Sequence, residues 1–340
     1  MVDAKKKFDD ILRNTVSIWQ SRDHVKGIWV YGSFASGTVT MNSDLDISVV
    51  WDDKEAPVQL LSDHGGVRVD MTFLTPEQME AALSGREQDP IKVCEVVGRL
   101  RNAMVVLDRD GSLRNLQKEA DAYRWSPDAI GCVKARALGA LDKATKFAAK
   151  DDTVSAVYEI RNGLFDLARV IVMKSNQFKI IRPSEVLGEL RLLDPIAYQL
   201  FLRTFKLKGL EEKGLIAVLS DIRHWLDIGE ERFADSKHAA ASTEMLSQAQ
   251  REYHGSLALT MNGEYELAVF EMRRSIHSLG LALLTLDGMT EPGDLSVVEE
   301  LREREPAFYE EILVKYGAFD FQPKGVERSI GEARFIAKRL

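Results

Sequence analysis

The sequence predicts an α+β chain, with a helix-and-strand region first and an all-helical region after it. Three observations carry this. The β-branched and aromatic runs bounded by turn residues all end by Leu107. From Pro127 onward, apolar residues recur at three- and four-residue spacing in long stretches joined by short polar links, the pattern of an antiparallel bundle. A length of 340 residues is room for two or three domains. The expected division is 1–120, 121–235 and 236–340.

The elements follow in order. Lys6 to Ser21 carries Phe8, Ile11, Leu12, Val16 and Trp19 on one helical face, which should pack on the back of a sheet. Ile28 to Tyr31 reads as a strand that ends at Gly32-Ser33, a turn into a short helix. Asp44-Leu45-Asp46-Ile47 opens a second strand through Trp51. Asp52 to Gly66 is polar, with a short segment at Val58 to Leu61. Gly66 to Phe73 alternates as a strand. Thr75-Pro76-Glu77 is a helix start, with Thr75 as N-cap and Pro76 in the first turn. A helix over Ile91 to Leu100 precedes a strand at Met104 to Leu107. Helices are then expected at Pro127–Lys150, Thr153–Ser175, Pro183–Leu190, Pro195–Phe205 and Leu210–Ile228. Gly229 to Thr243 reads as a linker. Further helices are expected at Glu244–Asn262, Tyr265–Leu286, Leu295–Arg304, Ala307–Tyr316 and Val326–Leu340.

The chemistry concentrates in residues 28–50. Alternation along a strand puts Asp44, Asp46 and Ser48 on one face and Leu45, Ile47 and Val49 on the other. Two carboxylates on one face repel unless a cation lies between them, and Mg²⁺ takes hard oxygen ligands that it shares with phosphates. Gly32 allows close approach of backbone to a ligand, and the N–H groups after it favour an anion. On the Gly66–Phe73 strand, Arg68, Asp70 and Thr72 share a face, which makes Asp70 a third carboxylate candidate. Gly32, Gly37 and Thr38 have the glycine spacing of a P-loop. The Lys required before Thr38 is absent, so that chemistry is not expected.

A hydrophobic residue, Gly-Ser, ten residues, then Asp-hydrophobic-Asp-hydrophobic resembles the signature of the DNA polymerase β-like nucleotidyltransferase superfamily. The resemblance covers roughly residues 20–115 and implies a mixed sheet. It also implies Asp44, Asp46 and Asp70 as metal ligands and catalytic carboxylates, and Gly32 and Ser33 as phosphate contacts. The expected reaction is Mg²⁺-dependent, with Mn²⁺ as a substitute, and moves a nucleoside monophosphate from an NTP, ATP first, to a hydroxyl. The helices after the sheet are similar in layout to those of aminoglycoside- and lincosamide-type members. In those the helical domain lines the cleft, which implies a small-molecule acceptor. In that layout a helical carboxylate takes the acceptor's proton, and Glu159 holds the corresponding place. Glu159, Asn162 and Asp166 form a polar stripe that also reads as a solvated face, with Glu159 and Asp166 paired to Arg161 or Arg169. Arg136, Lys143, Lys146 and Lys150 form one basic stripe, and Lys174, Lys179 and Arg182 another. Lys143 and Lys179 are the candidates for neutralising a triphosphate. The alternative function is a regulatory protein of toxin–antitoxin type that modifies or binds a protein.

Other features bound the reading. A net charge of −8 argues against a general nucleic-acid binder, which needs a basic surface. No apolar run approaches the ~20 residues of a membrane span, and the first residues lack the apolar segment of a signal peptide. Two cysteines, Cys94 and Cys132, make no disulfide framework and point to a reducing cytoplasm. Arg232 and His238 fit the loose pattern of RNA-cleaving helical domains but fall in the expected linker; His254 and His277 read as packed or surface residues.

Overall fold

The computed structural model describes residues 4–39, 43–53, 56–57, 60–289 and 296–340. It divides into two compact units, Met1–Ala129 and Ile130–Leu340.

The first unit is a five-stranded mixed sheet with helices. Its strands are β1 (Val25–Tyr31), β2 (Leu45–Trp51), β3 (Leu60–Asp63), β4 (Arg68–Leu74) and β5 (Met104–Asp108), in the order β3-β4-β2-β1-β5. β2 and β4 run parallel, and the other neighbours are antiparallel. The helix α1 (Ala4–Trp19) puts Phe8 and Leu12 into a core with Ile28, Val30, Leu45, Ile47, Val49, Val69 and Met71. Leu45, Ile47 and Val49 of β2 and Val69 and Met71 of β4 are the odd positions, so the alternation read from the sequence decides which face is apolar. On the other face the Ser112–Ala122 helix sits against β1: a Cβ on Gly27 would lie 2.8 Å from Leu113 Cδ2. β3 is an edge strand within the stretch expected to be polar loop; Val58 and Gln59 of the expected short segment lie outside the described residues.

After β1, the chain makes the short helix α2 (Gly32–Ala35). The helix α3 (Pro76–Leu83) starts on a full capping box, in which Thr75 accepts from Gln78 N and the Gln78 side chain accepts from Thr75 N. The helix expected at Ile91–Leu100 contains a π turn at Cys94–Gly98 between Pro90–Val93 and Arg99–Arg101.

Among its described residues the second unit consists of helices joined by turns, with no strand. Its longest helices are Thr153–Lys174, Glu212–Asp235, Ala239–Met261 and Tyr265–Leu286. The expected linker at 229–243 is mostly helix, with a break only near 236–238. Gly229 misleads as a breaker. A Cβ there would stand 3.3 Å from Leu246 Cδ1 and 3.5 Å from Leu279 Cδ1, so the glycine lets three helices approach closely. Residue 235, the expected domain boundary, lies inside this second unit. Leu295 lies outside the described residues, and the helix after it is Val297–Arg304 with a Ser296/Glu299 capping box. Among the described residues no helix is long and apolar enough to cross a membrane.

Candidate active site

The site of the first unit grows from register. β2 and β4 place Asp46 opposite Asp70 and Ser48 opposite Thr72. The Ser48 and Thr72 hydroxyls bond at 2.8 Å. On the other side of β2, Tyr31 pairs with Asp46. The strand thus ends with a tyrosine, an aspartate and an aspartate side by side across three strands.

Gly32 follows directly, with φ +73. A Cβ at this position would lie 2.2 Å from Asp46 Oδ2. The glycine therefore answers two demands, a left-handed backbone and space for the carboxylate that lies against it. Ser33 is half-buried on the first turn, and its carbonyl accepts from Thr38 N at 2.9 Å.

Asp44 lies just before β2, on the same side as Asp46 by alternation. Its carboxylate is held in a two-point ion pair by Arg68, with Nε at 3.1 Å and Nη2 at 2.7 Å. Among the described residues no three acidic, His or Cys side chains converge closely enough to form a ready metal cage. The donor set still suits a hard divalent cation: two carboxylates in register, and a third beside them that is bound to a cation already.

Two further groups complete this face, and the sequence did not single them out. The Arg99 guanidinium lies 5.0 Å from the centre of the Tyr31 ring, and it donates to Thr72 Oγ1 at 3.3 Å and to Glu95 at 3.2 Å. Burial pushes the Tyr31 phenol up to about 12; Arg99 opposes this and the charges of Asp46 and Asp70 add to it. Tyr31 is therefore a neutral hydroxyl beside two acids. The signal for Tyr31 was in the sequence, since it directly precedes Gly32. Arg99 gave none, because it comes from the far end of a helix interrupted by a π turn.

In the second unit Glu159 is buried, 6% exposed, on the Thr153–Lys174 helix. Burial lifts its carboxyl to about 7, against the pull of Lys143 and an Asn162 hydrogen bond. Lys143 and Glu159, two of the predicted site residues, are thus neighbours. The solvated-face alternative fails for both acids, which are buried, but the pairing it named holds for Asp166, which binds Arg136 and Arg169, the latter at 3.3 Å. Arg161 turns instead to backbone carbonyls. Lys179 is exposed and bound to Glu189 at 2.7 Å, a bond that raises its pKa. Arg232 pairs with Glu305, while His238 lies beside Gly288.

Residues 13–92 match the family profile described as polymerase beta, nucleotidyltransferase. Eleven solved chains resemble the protein; among them is a nucleotidyltransferase-like protein from Exiguobacterium sibiricum, 14% identical, covering 90% of each chain with a TM-score of 0.39. No curated protein sequence matches the chain.

Proposed function

We propose that this chain, whose N-terminal domain belongs to the DNA polymerase β-like nucleotidyltransferase superfamily, moves a nucleoside monophosphate from ATP to a hydroxyl acceptor. The observation that carries this reading is the contact of Gly32 with Asp46, together with the register of Asp46 and Asp70. It joins the turn of the motif to both central acids in one place.

The acceptor oxygen forms a bond to the α-phosphorus. The bond from that phosphorus to the bridging oxygen breaks, and pyrophosphate leaves with its electron pair. Asp46 and Asp70 would hold a divalent cation of the Mg²⁺ or Mn²⁺ type, joined by Asp44; once bound, it supplies Lewis-acid charge to the phosphates. Gly32 and Ser33 line the phosphates. Tyr31, neutral at ordinary pH, donates a hydrogen bond rather than charge. Arg99 fixes Thr72 and Tyr31. Glu159 receives the acceptor's proton, because a base works best with a pKa near the operating pH. Lys143 tunes that carboxyl instead of meeting the triphosphate.

The acceptor we favour is a compact hydroxyl compound, of the aminoglycoside or lincosamide class, and the product carries one nucleotide. The test is incubation of the purified chain with Mg²⁺, α-labelled ATP, and either tRNA or a panel of small hydroxyl compounds, with products resolved by mass. One added nucleotide on a small compound supports the proposal. Label on tRNA or on a protein, with none on any small compound, moves the chain to another branch of the superfamily.

A further inference from the structure

The second unit contains a group of cations, one buried and two half-buried, that the proposed transfer reaction does not use. Arg161 lies on the Thr153–Lys174 helix, and Arg273 and Arg274 lie on the Tyr265–Leu286 helix. All three line one cavity, which has a volume of about 40 Å³. Among the described residues none of them forms an ion pair with a carboxylate.

Their hydrogen bonds separate them by role. Arg161 is spent on the backbone: it donates to the Thr204 carbonyl at 2.9 Å, to Gly317, and to the Ala318 carbonyl at 3.0 Å. This holds the turn at Ala318, whose φ is +51. Among the described residues the hydrogen-bond partner of Arg273 is the Lys206 carbonyl, at 3.3 Å, and that of Arg274 is Asn162 Oδ1, at 3.4 Å. Arg273 Nε and Nη1 and Arg274 Nε are buried with no acceptor. A buried guanidinium with unmade bonds costs more than any neutral group in the same state.

The acids nearby are engaged elsewhere. Asp320, which faces Arg161, bonds to Lys206. Glu252, which faces Arg274, accepts from Ser278 at 2.6 Å and from Gln248 at 2.8 Å. Asp166 serves Arg136 and Arg169. Tyr158 and His277 bond to each other at the cavity wall, and burial with the charges of Arg274 and Arg169 keeps His277 neutral. The cavity is therefore a positive, donor-rich space whose nearest carboxylates, Asp320 and Glu252, are bonded to other groups. Water would fill the unmade bonds but leave the excess of positive charge, and Arg161 and Arg273 repel each other.

We infer that this cavity binds a small tetrahedral oxyanion of the phosphate class. A phosphate offers acceptors on every side and matches the planar forks of two guanidinium groups. The volume decides its size. A water needs roughly 10–15 Å³ measured this way, so the space takes one oxyanion and no nucleoside. The anion is either free phosphate or a phosphate group whose carrier stays outside.

The test is thermal unfolding of the full chain against inorganic phosphate, with ionic strength held constant by chloride. A second series uses AMP. The expected result is a saturable rise in Tm with phosphate that chloride does not produce. Arg273→Met should unfold at an equal or higher Tm without phosphate, because it removes an unpaired buried charge, and should lose the rise. If that variant does not fold, Arg274→Met or ³¹P line broadening of phosphate on the native chain reads the same binding. A rise with phosphate alone assigns a free anion, and a rise with AMP alone assigns a phosphate carried by a larger ligand. Either must disappear on loss of Arg273. No rise above the chloride control overturns the inference. So does a full rise in Arg273→Met, which would place the phosphate elsewhere in the chain.

Discussion

Gly32 and Asp46 touch where only a glycine fits, and this contact is the most demanding feature of the candidate site at the level of single residues. Gly32→Ala must displace the Asp46 carboxylate or distort a backbone at φ +73. A displacement near 1 Å costs about 10²-fold in rate. Turnover of nucleotide is therefore expected to fall by at least that factor while the far-UV circular dichroism stays native; normal turnover would separate the glycine from the chemistry. Arg68 makes a second prediction at this scale. It competes with a cation for Asp44, so Arg68→Gln should tighten Mn²⁺ binding, read by electron paramagnetic resonance, by about fivefold for an exposed pair of about 1 kcal/mol. Unchanged or weaker Mn²⁺ affinity would remove Asp44 from the ligand set. The three aspartates and Gly32 were legible in the sequence because strand alternation and a fixed spacing define them. The Arg68–Asp44 pair was not, because it depends on how β4 lies against β2.

At the scale of elements, the parallel pairing of β2 and β4 turns two separate motifs into one site. No pattern in either strand states that register. The helices were legible where apolar periodicity ran unbroken, as at Tyr265–Leu286, which matches the expected bounds. They were misread at 229–243, where a glycine used for close packing looked like punctuation. The Thr153–Lys174 helix shows the same limit: nearly all of it is buried, so its polar stripe is interior. Glu159 gives this helix a pH signature. Its carboxyl is raised from 4.5 to about 7, so between these values the native state holds a proton that the unfolded chain has released. Its stabilising contribution is complete below about pH 4.5 and is lost as pH rises through about 7. Glu159→Gln should therefore raise stability, and with it Tm, most above pH 7, by up to about 3 kcal/mol of unfolding free energy, and little at pH 4.5. Glu271, also raised to about 7 by burial, leaves a residual slope in the variant. An equal Tm difference at every pH would show that Glu159 titrates normally. The same variant should lower kcat by roughly 10²–10⁴-fold with little change in nucleotide affinity, if Glu159 is the base.

At the scale of the whole molecule, a chain of net charge −8 has little to offer a phosphate backbone. Binding to tRNA at physiological salt is expected to stay in the weak non-specific range, roughly 10⁻⁴–10⁻⁶ M, by filter binding. Nanomolar binding would contradict the small-acceptor reading. The central claim is narrower than the acceptor and rests on the acids of β2 and β4. The most direct measurement is pyrophosphate release from ATP, with Mg²⁺ and the acceptor that the mass screen identifies, by the native chain, Asp46→Asn and Asp70→Asn. Both variants keep the core face of the sheet intact and change only charge. The expected result is native folding in both and turnover lower by orders of magnitude in each. Near-native turnover in both variants would contradict the assignment of this site.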